Sequence, residues 1–363
     1  MRNWNIEEIK SSNLPDEVKD MIEKEYNKDQ LSSLDPNNFS QRNLTYKEFK
    51  QNYHDYLQFL YQLLGDNYFY TDILYKRYKY DEVLKYGFQE SDLNDEDLLE
   101  HILAFYESLE DDEITSTMTT LLDEKNGHIR IQPYDESNPI CKEVKGRCIK
   151  PTDGSVFMSY YMRGTQEDLS ILGHETGHML SHALFHDKIN PIVKGFLSET
   201  ESYLFELLVN SYIATELNLP DLAVYLEANR TQKTIDTIWN IRAQQILYRQ
   251  IGSKPNMKRL TKILNKEGLS IKFEQTNFKD LTTFTLFELH HLLHSHLVAL
   301  HFYKRILEDK KKGLQEFKKF MTSTKTDTYS LFNESGIYYE DLIGYMDHMY
   351  TKPVTLKKQN YKL

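Results

Sequence analysis

The sequence is poor in the residues that turn or bridge a chain. Nine prolines, fourteen glycines and two cysteines are spread over 363 residues. That is too few turn formers for a barrel or sandwich of tight hairpins, and too few thiols for a disulfide scaffold. Cys141 and Cys148 suit a reducing compartment; a bridge between them stays open, and neither has the spacing of a metal site. Long apolar runs are also missing. No window reaches the roughly 18 apolar residues of a membrane span, and Met1-Arg2-Asn3-Trp4-Asn5-Ile6-Glu7 lacks the apolar core of a signal peptide. Positive charge is in deficit, with 44 Lys and Arg against 55 Asp and Glu and a net charge of -11. This disfavours nucleic acid and membranes as partners, since phosphate backbones and anionic lipids are held by clustered cations. The basic stretch from Lys352 to Lys362 reads as a solvated end. The expectation is a cytoplasmic protein, with its oligomeric state left open.

Helical periodicity is what the chain does have. Tyr53, Tyr56, Leu57, Leu60, Tyr61 and Leu64 fall on one stripe. Twenty-six tyrosines could in principle stack on bases, but at helical spacing in an acidic chain they read as core. Residues 92–125 predict one or two further helices, with Asp92 or Asn94 as caps. Strand-like alternation is confined to His128–Gln132 and to the stretch from Cys148 to Met162. Helix resumes near residue 165, interrupted around Gly252–Asn256 and Gly268. The pattern predicts a mainly α protein in two lobes: a helical lobe over residues 1–120, a second over 121–350 that holds a small β-sheet, and a tail over 351–363. A deep substrate cleft between the lobes is expected.

One pentapeptide carries chemistry. His174-Glu175-Thr176-Gly177-His178 is an HExxH motif inside a helical stretch, with Leu172, Thr176, Met179, Leu180 and Ala183 as its largely apolar stripe. Histidines four apart lie on one helical face and can reach one metal, while the intervening carboxylate points at the water that metal holds. Zinc lowers the pKa of such a water to about 7, and a neighbouring base completes the attack on a carbonyl. Peptide hydrolysis is the reaction this arrangement suggests. Gly177 costs about 1 kcal/mol inside a helix, so close packing or ligand approach is expected there. A catalytic zinc takes three protein ligands, so a third must come from elsewhere. Glu199 lies twenty-one residues beyond His178, enough for a turn at Asn190-Pro191 and an antiparallel second helix. Glu199, Ser202 and Glu206 then share one face of that helix. Glu199 is the expected third ligand, Glu206 the group that orients a ligand histidine through its other nitrogen, and Glu201 a solvated surface acid.

Together these residues resemble the thimet oligopeptidase and oligoendopeptidase F group of zinc metallopeptidases, whose pattern is HExGH and then a helix with E-x-x-S-x-x-x-E. Here that pattern is His174, Glu175, Gly177 and His178, then Glu199, Ser202 and Glu206. Gly154 to Tyr161 resembles the family strand that pairs with extended substrate, which implies Gly154, Ser155, Phe157 and Ser159 as substrate-binding residues. The run from Lys304 to Met321, and then Leu331 to Ile337, is similar to the closing helices, so the likeness spans roughly residues 120–350. The resemblance implies a gluzincin-type site with one Zn²⁺ per chain, Glu175 as general base, and endopeptidase action on short peptides. The chain departs from the pattern in three places. Ser181 stands where members carry a histidine, with His182 one step later. The stretch Glu288 to His296 has no tyrosine where members place oxyanion-binding tyrosines, so His290 and His294 are the expected catalytic substitutes, since what matters is a donor aimed where charge develops. The chain is also much shorter than members of the group, like a compact version with a reduced N-terminal half. The alternative reading is a zinc-binding pseudo-peptidase that holds a peptide or partner without turnover.

Overall fold

A computed structural model describes residues 44–64, 70–78, 95–135, 146–149, 155–165, 167–185, 196–269, 278–325 and 327–348. Among the described residues four helices come first: α1 (Tyr46–Leu64), α2 (Tyr70–Arg77), α3 (Asp95–Ser108) and α4 (Asp112–Leu122). The last two form the pair expected from residues 92–125, split where Glu110 takes a left-handed φ of 56°. Asp111 caps α4 by accepting from the Ile114 amide at 3.1 Å. The cap candidates Asp92 and Asn94 lie outside the described residues. On α1, Tyr53 and Tyr56 are buried as the stripe predicted. The α1 tyrosines lock the helix to the body: Tyr46 Oη donates to the Leu247 carbonyl at 2.6 Å, and Tyr53 stacks on Tyr248 with centroids 4.4 Å apart.

Among the described residues three strands come next, β1 (Ile129–Pro133), β2 (Gly146–Ile149) and β3 (Phe157–Met162), in the order β1-β3-β2. β1 runs parallel to β3, and β2 runs antiparallel to it. This corrects the expected substrate strand. β3 is the central strand, with both hydrogen-bonding edges occupied, so an incoming peptide cannot pair with it. Ser159 is buried between Arg130 and Arg147 in the cross-strand register. Phe157 is half-buried and Ser155 exposed, while Gly154 lies outside the described residues. Alternation alone cannot separate an edge strand from a central one, because both show the same period of two. Among the described residues, β2 presents an unpaired edge.

Among the remaining described residues the longer helices are α5 (Glu167–Leu184), α6 (Thr200–Thr215), α7 (Pro220–Arg249), α8 (Met257–Glu267), α9 (Leu286–Glu308), α10 (Lys310–Met321) and α11 (Thr328–Ser335). Their ends obey local chemistry. Pro220 sits in the first turn of α7. Thr285 and Glu288 close a capping box on α9. Asp168, fully buried, ties the start of α5 to the sheet: it accepts from the Tyr160 hydroxyl and from the Arg163 and Thr165 amides at 3.1 and 2.8 Å. Helix α6 is buried at every residue from Thr200 to Asn210, as expected of a helix covered on all sides. It packs on α5, α7 and α9, and Glu201, Glu206 and His296 are buried within that four-helix junction. Among the described residues, no helix is long and apolar enough to cross a membrane.

Candidate metal centre

The centre forms where α5 crosses the beginning of α6. His174 and His178 are one turn apart on α5, with ring centroids at 5.1 Å and planes at 89°. Their Nε2 atoms lie 3.4 and 3.3 Å from the same atom, Oε2 of Glu199. One donor atom from each of the three lies within 4.8 Å of the others. All three side chains remain 18 to 24% exposed, so the cluster opens toward solvent on one side. Two imidazoles and a carboxylate are the donor set of a catalytic zinc. The residues fit that ion.

Two glycines make the crossing close enough. A Cβ on Gly177 would meet Ser202 Cα at 2.9 Å and the Glu201 carbonyl oxygen at 3.0 Å; one on Gly173 would meet Val209 Cγ2 at 2.6 Å. Gly173 and Gly177 form a smooth strip on α5 into which the α6 backbone sinks. Close packing is therefore the reason for a glycine beside the second histidine.

Glu199 is not on the helix as the sequence suggested. It is the N-cap residue of α6, at φ −107° and ψ 4°, and Ser202 Oγ donates to its Oε2 at 2.8 Å and its carbonyl at 3.0 Å. That offset alters which acids of α6 reach α5. Because Glu199 precedes the helical turn, Glu201 can face α5 as well, and the expectation of a solvated Glu201 is overturned. Glu201 is 6% exposed, and its Oε1 lies 3.7 Å from His178 Nδ1. Glu206 takes the place expected of it, with Oε2 3.1 Å from His174 Nδ1. Each histidine thus has a carboxylate behind it and Glu199 in front.

Buried charge dominates the electrostatics. Burial alone would depress both imidazoles, but Glu199 and Glu206 at His174, and Glu199 and Glu201 at His178, outweigh it and raise both pKa values. Burial likewise opposes ionisation of Glu199, yet His178 and His174 hold its pKa well below the ordinary carboxylate range. Glu206, held by Arg230 and His174 against its own burial, is lowered to about 2. Glu175 moves the other way: burial raises its pKa, partly offset by the two histidines and Arg147. Four carboxylates, Glu175, Glu199, Glu201 and Glu206, gather here with two arginines, Arg147 and Arg230, an imbalance that a divalent cation would relieve.

Glu175 faces the sheet. A Cβ at Gly146 would lie 2.6 Å from Glu175 Cγ, so the first residue of β2 leaves room for this side chain. Cys148, a free thiol on the same strand, is half-buried, and its pKa is raised by desolvation and by Glu175 and Glu201; Cys141 lies outside the described residues.

The structure turns His290 and His294 into the core. They are 1% and 2% exposed. His290 faces Tyr56 and His294, and His294 faces Phe196 and Tyr339. His294 Nδ1 bonds the His290 carbonyl at 2.7 Å. Burial pushes the pKa of His290 well down and that of His294 to about 4. His291, one position on, is the histidine of this run that senses Glu199 and Glu201; its Nδ1 bonds the Phe196 carbonyl at 3.0 Å. A run of histidines gives no sign of which member faces inward, because the answer depends on how α9 is rotated against α1 and α6.

No family model matches this chain, and no curated protein matches it. Solved structures do. PZ peptidase A, solved with an inhibitor, superposes with a TM-score of 0.55 at 12% identity, over 85% of this chain and 58% of that one. A Bacillus anthracis protein described as an oligoendopeptidase F gives 0.51 at 13% identity, over 87% and 56%. A Chlamydophila abortus protein described as a peptidase gives 0.53 at 16% identity, over 74% and 48%. The chain shares the fold of these solved structures over the part it covers. It spans about half the length of the solved structures it matches. Within this chain, the HExxH helix, the small sheet and the Glu199 helix meet in one neighbourhood.

Proposed function

We propose that this chain is a zinc-dependent endopeptidase acting on short peptides. The observation that carries the reading is the convergence of His174 Nε2, His178 Nε2 and Glu199 Oε2, with Glu175 one residue along the same helix. In this reading those three residues hold one Zn²⁺, which supplies a Lewis acid for the scissile carbonyl and acidifies a water. The chain's own groups do the rest. Glu175, its pKa raised by burial, accepts the proton of the attacking water and delivers it to the leaving amine. Glu206 and Glu201 hold His174 and His178 with their Nε2 atoms toward the ion. The free edge of β2, which abuts Glu175, replaces β3 as the strand that pairs with an extended peptide, giving affinity with little sequence demand. His291 replaces His290 and His294 as the histidine of α9 that faces substrate. With Nδ1 committed to the Phe196 carbonyl, neutral His291 offers Nε2 as an acceptor. The lobes at residues 1–120 and 121–350 flank the cleft in this reading, in a cytoplasmic enzyme.

A zinc-binding protein without turnover is the second reading. It is favoured by one observation: His290 and His294, expected to steady the oxyanion, lie in the core. Incubating the purified protein with a pool of short peptides, with and without a chelator and beside Glu175→Gln, separates the two. Internal cuts that vanish with chelator and in the variant establish the endopeptidase. Stoichiometric zinc with no cuts establishes the second reading. His291→Gln is expected to slow cleavage with zinc retained.

A further inference from the structure

One cation in the junction touches none of the three ligands yet contacts what holds them. The side chain of Arg230 on α7 is 12% exposed. Its Nε donates to Glu206 Oε1 at 2.9 Å, and a second guanidinium nitrogen donates to Glu206 Oε2, the same oxygen that lies 3.1 Å from His174 Nδ1. The guanidinium lies over the Tyr203 ring, 4.4 Å from its centroid. That ring in turn stands 5.5 Å from His174 and 5.4 Å from His296. His296 is anchored through Nδ1 to Thr234 Oγ1 at 2.6 Å. Arg230 and the ring of His174 thus bracket Glu206 and Tyr203 together.

We propose that Arg230 is a positioning residue of the metal centre: its two-pronged hold on Glu206 fixes that carboxylate's plane, and so aims His174 Nε2 at the ion. The inference rests on the zinc reading above. The physical reason is the fork. A single-point cation neutralises Glu206 but lets the carboxylate rotate, whereas a planar guanidinium bonded to both oxygens sets its orientation. Glu206 then holds His174 with its Nδ1 proton inward and its Nε2 lone pair outward. Tyr203 closes the other side, so that the imidazole cannot tilt away. Charge and orientation make opposite demands. The positive charge of Arg230 repels a divalent ion, and its removal alone would tighten binding; loss of the aim would weaken it. The proposal states that orientation wins.

The test uses the full chain, stripped of metal and titrated with Zn²⁺ against a chromophoric chelator, with the absorption spectrum of the Co²⁺-loaded protein and thermal melting in parallel. Arg230→Met is expected to raise the zinc dissociation constant about 10- to 100-fold and to alter the Co²⁺ spectrum. Arg230→Lys, which keeps the charge and loses the fork, should recover only part of the affinity. Thr234→Val, which breaks the same cluster at its far end, should lower the melting temperature without moving zinc affinity. Zinc bound by Arg230→Met as tightly as by wild type, or more tightly, overturns the proposal. So does an equal weakening by Thr234→Val, which would reduce Arg230 to packing. Should Arg230→Met not fold, Glu206→Gln keeps the shape and removes the ion pair; unchanged zinc affinity there overturns the proposal equally. A wild-type chain that binds no zinc sinks the reading of the centre itself, whereas zinc-binding wild type with unaffected variants sinks only the role of Arg230.

Discussion

Two sets of histidines in this protein have opposite fates. On α5, His174 and His178 each meet two carboxylates, and their pKa values rise despite burial. On α9, His290, His294, His296 and His301 meet aromatic rings, hydroxyls and carbonyls; burial pushes them down, the last three to about 4, 3 and 4. Both sets are dense in histidine and both are helical. The difference lies in what the neighbouring helix brings. The N-terminal end of α6 presents Glu199, Glu201 and Glu206 to α5, whereas α9 packs against Phe196, Tyr56 and Tyr203. Histidine density alone therefore says little about metal binding; histidines opposed by converging carboxylates say much more.

The contrast breaks most sharply at the α5 set. His174→Ala or Glu199→Ala should remove zinc and abolish cleavage. Glu175→Gln should retain zinc while kcat falls by about 10²- to 10⁴-fold. Metal analysis and peptide mass spectrometry read both. If Glu175→Gln emerged without metal, Glu175 would be a ligand and the assignment of base and ligands would be wrong.

The packing beneath that set comes next. Gly177→Ala would drive a methyl into the Ser202 and Glu201 backbone, which cannot yield as a flexible side chain would. Stability should drop by about 1–3 kcal/mol, with weaker zinc binding, measured by denaturant unfolding of the metal-free chain and by chelator competition. Unchanged unfolding and zinc affinity would show that α5 and α6 do not approach as described.

The α9 set should make itself felt in acid. His294, His296 and His301 are neutral when folded and have an ordinary value of 6.5 when unfolded. Below that value the unfolded chain takes up more protons than the folded one, so stability is full above pH 6.5 and is lost as pH falls toward 4. Each group contributes at most about 1.4 kcal/mol per pH unit. Melting temperatures across this window would show the decline. A flat profile would place these histidines in contact with water.

The smallest expected effect isolates one member. His294→Leu should remove up to one proton from that acid dependence and leave zinc stoichiometry unchanged, read by the same melts and by metal analysis. Loss of zinc in this variant would return His294 to the centre and erase the contrast between the two sets.

Much of the site was legible in one dimension because its spacing is local. His174 and His178 are a turn apart, and helical geometry alone puts them on one face. Glu199, Ser202 and Glu206 could be named from the downstream motif. Glu201 could not: a helical wheel turns it away from Glu199, and only the displacement of Glu199 to the cap brings both toward α5. Arg230 is twenty-four residues beyond Glu206 on another helix, with no periodic relation to the motif. The stretch from Gly154 to Tyr161 reads as a substrate-pairing strand, yet β3 is central, since the order β1-β3-β2 depends on non-local hydrogen bonding.

By itself, then, the sequence determined the helical class, the tyrosine-rich core face of α1 and the pairing of His174 with His178, all consequences of periodicity and short-range spacing, and its downstream motif named Glu199 as the residue that meets them. Tertiary structure alone decided which carboxylates stand behind the histidines, which strand lies at the centre of the sheet, and which histidines of α9 are sealed in the core. Those outcomes depend on how helices rotate and how closely they approach. At the central crossing, that approach depends on two glycines with no side chain to hold α5 and α6 apart.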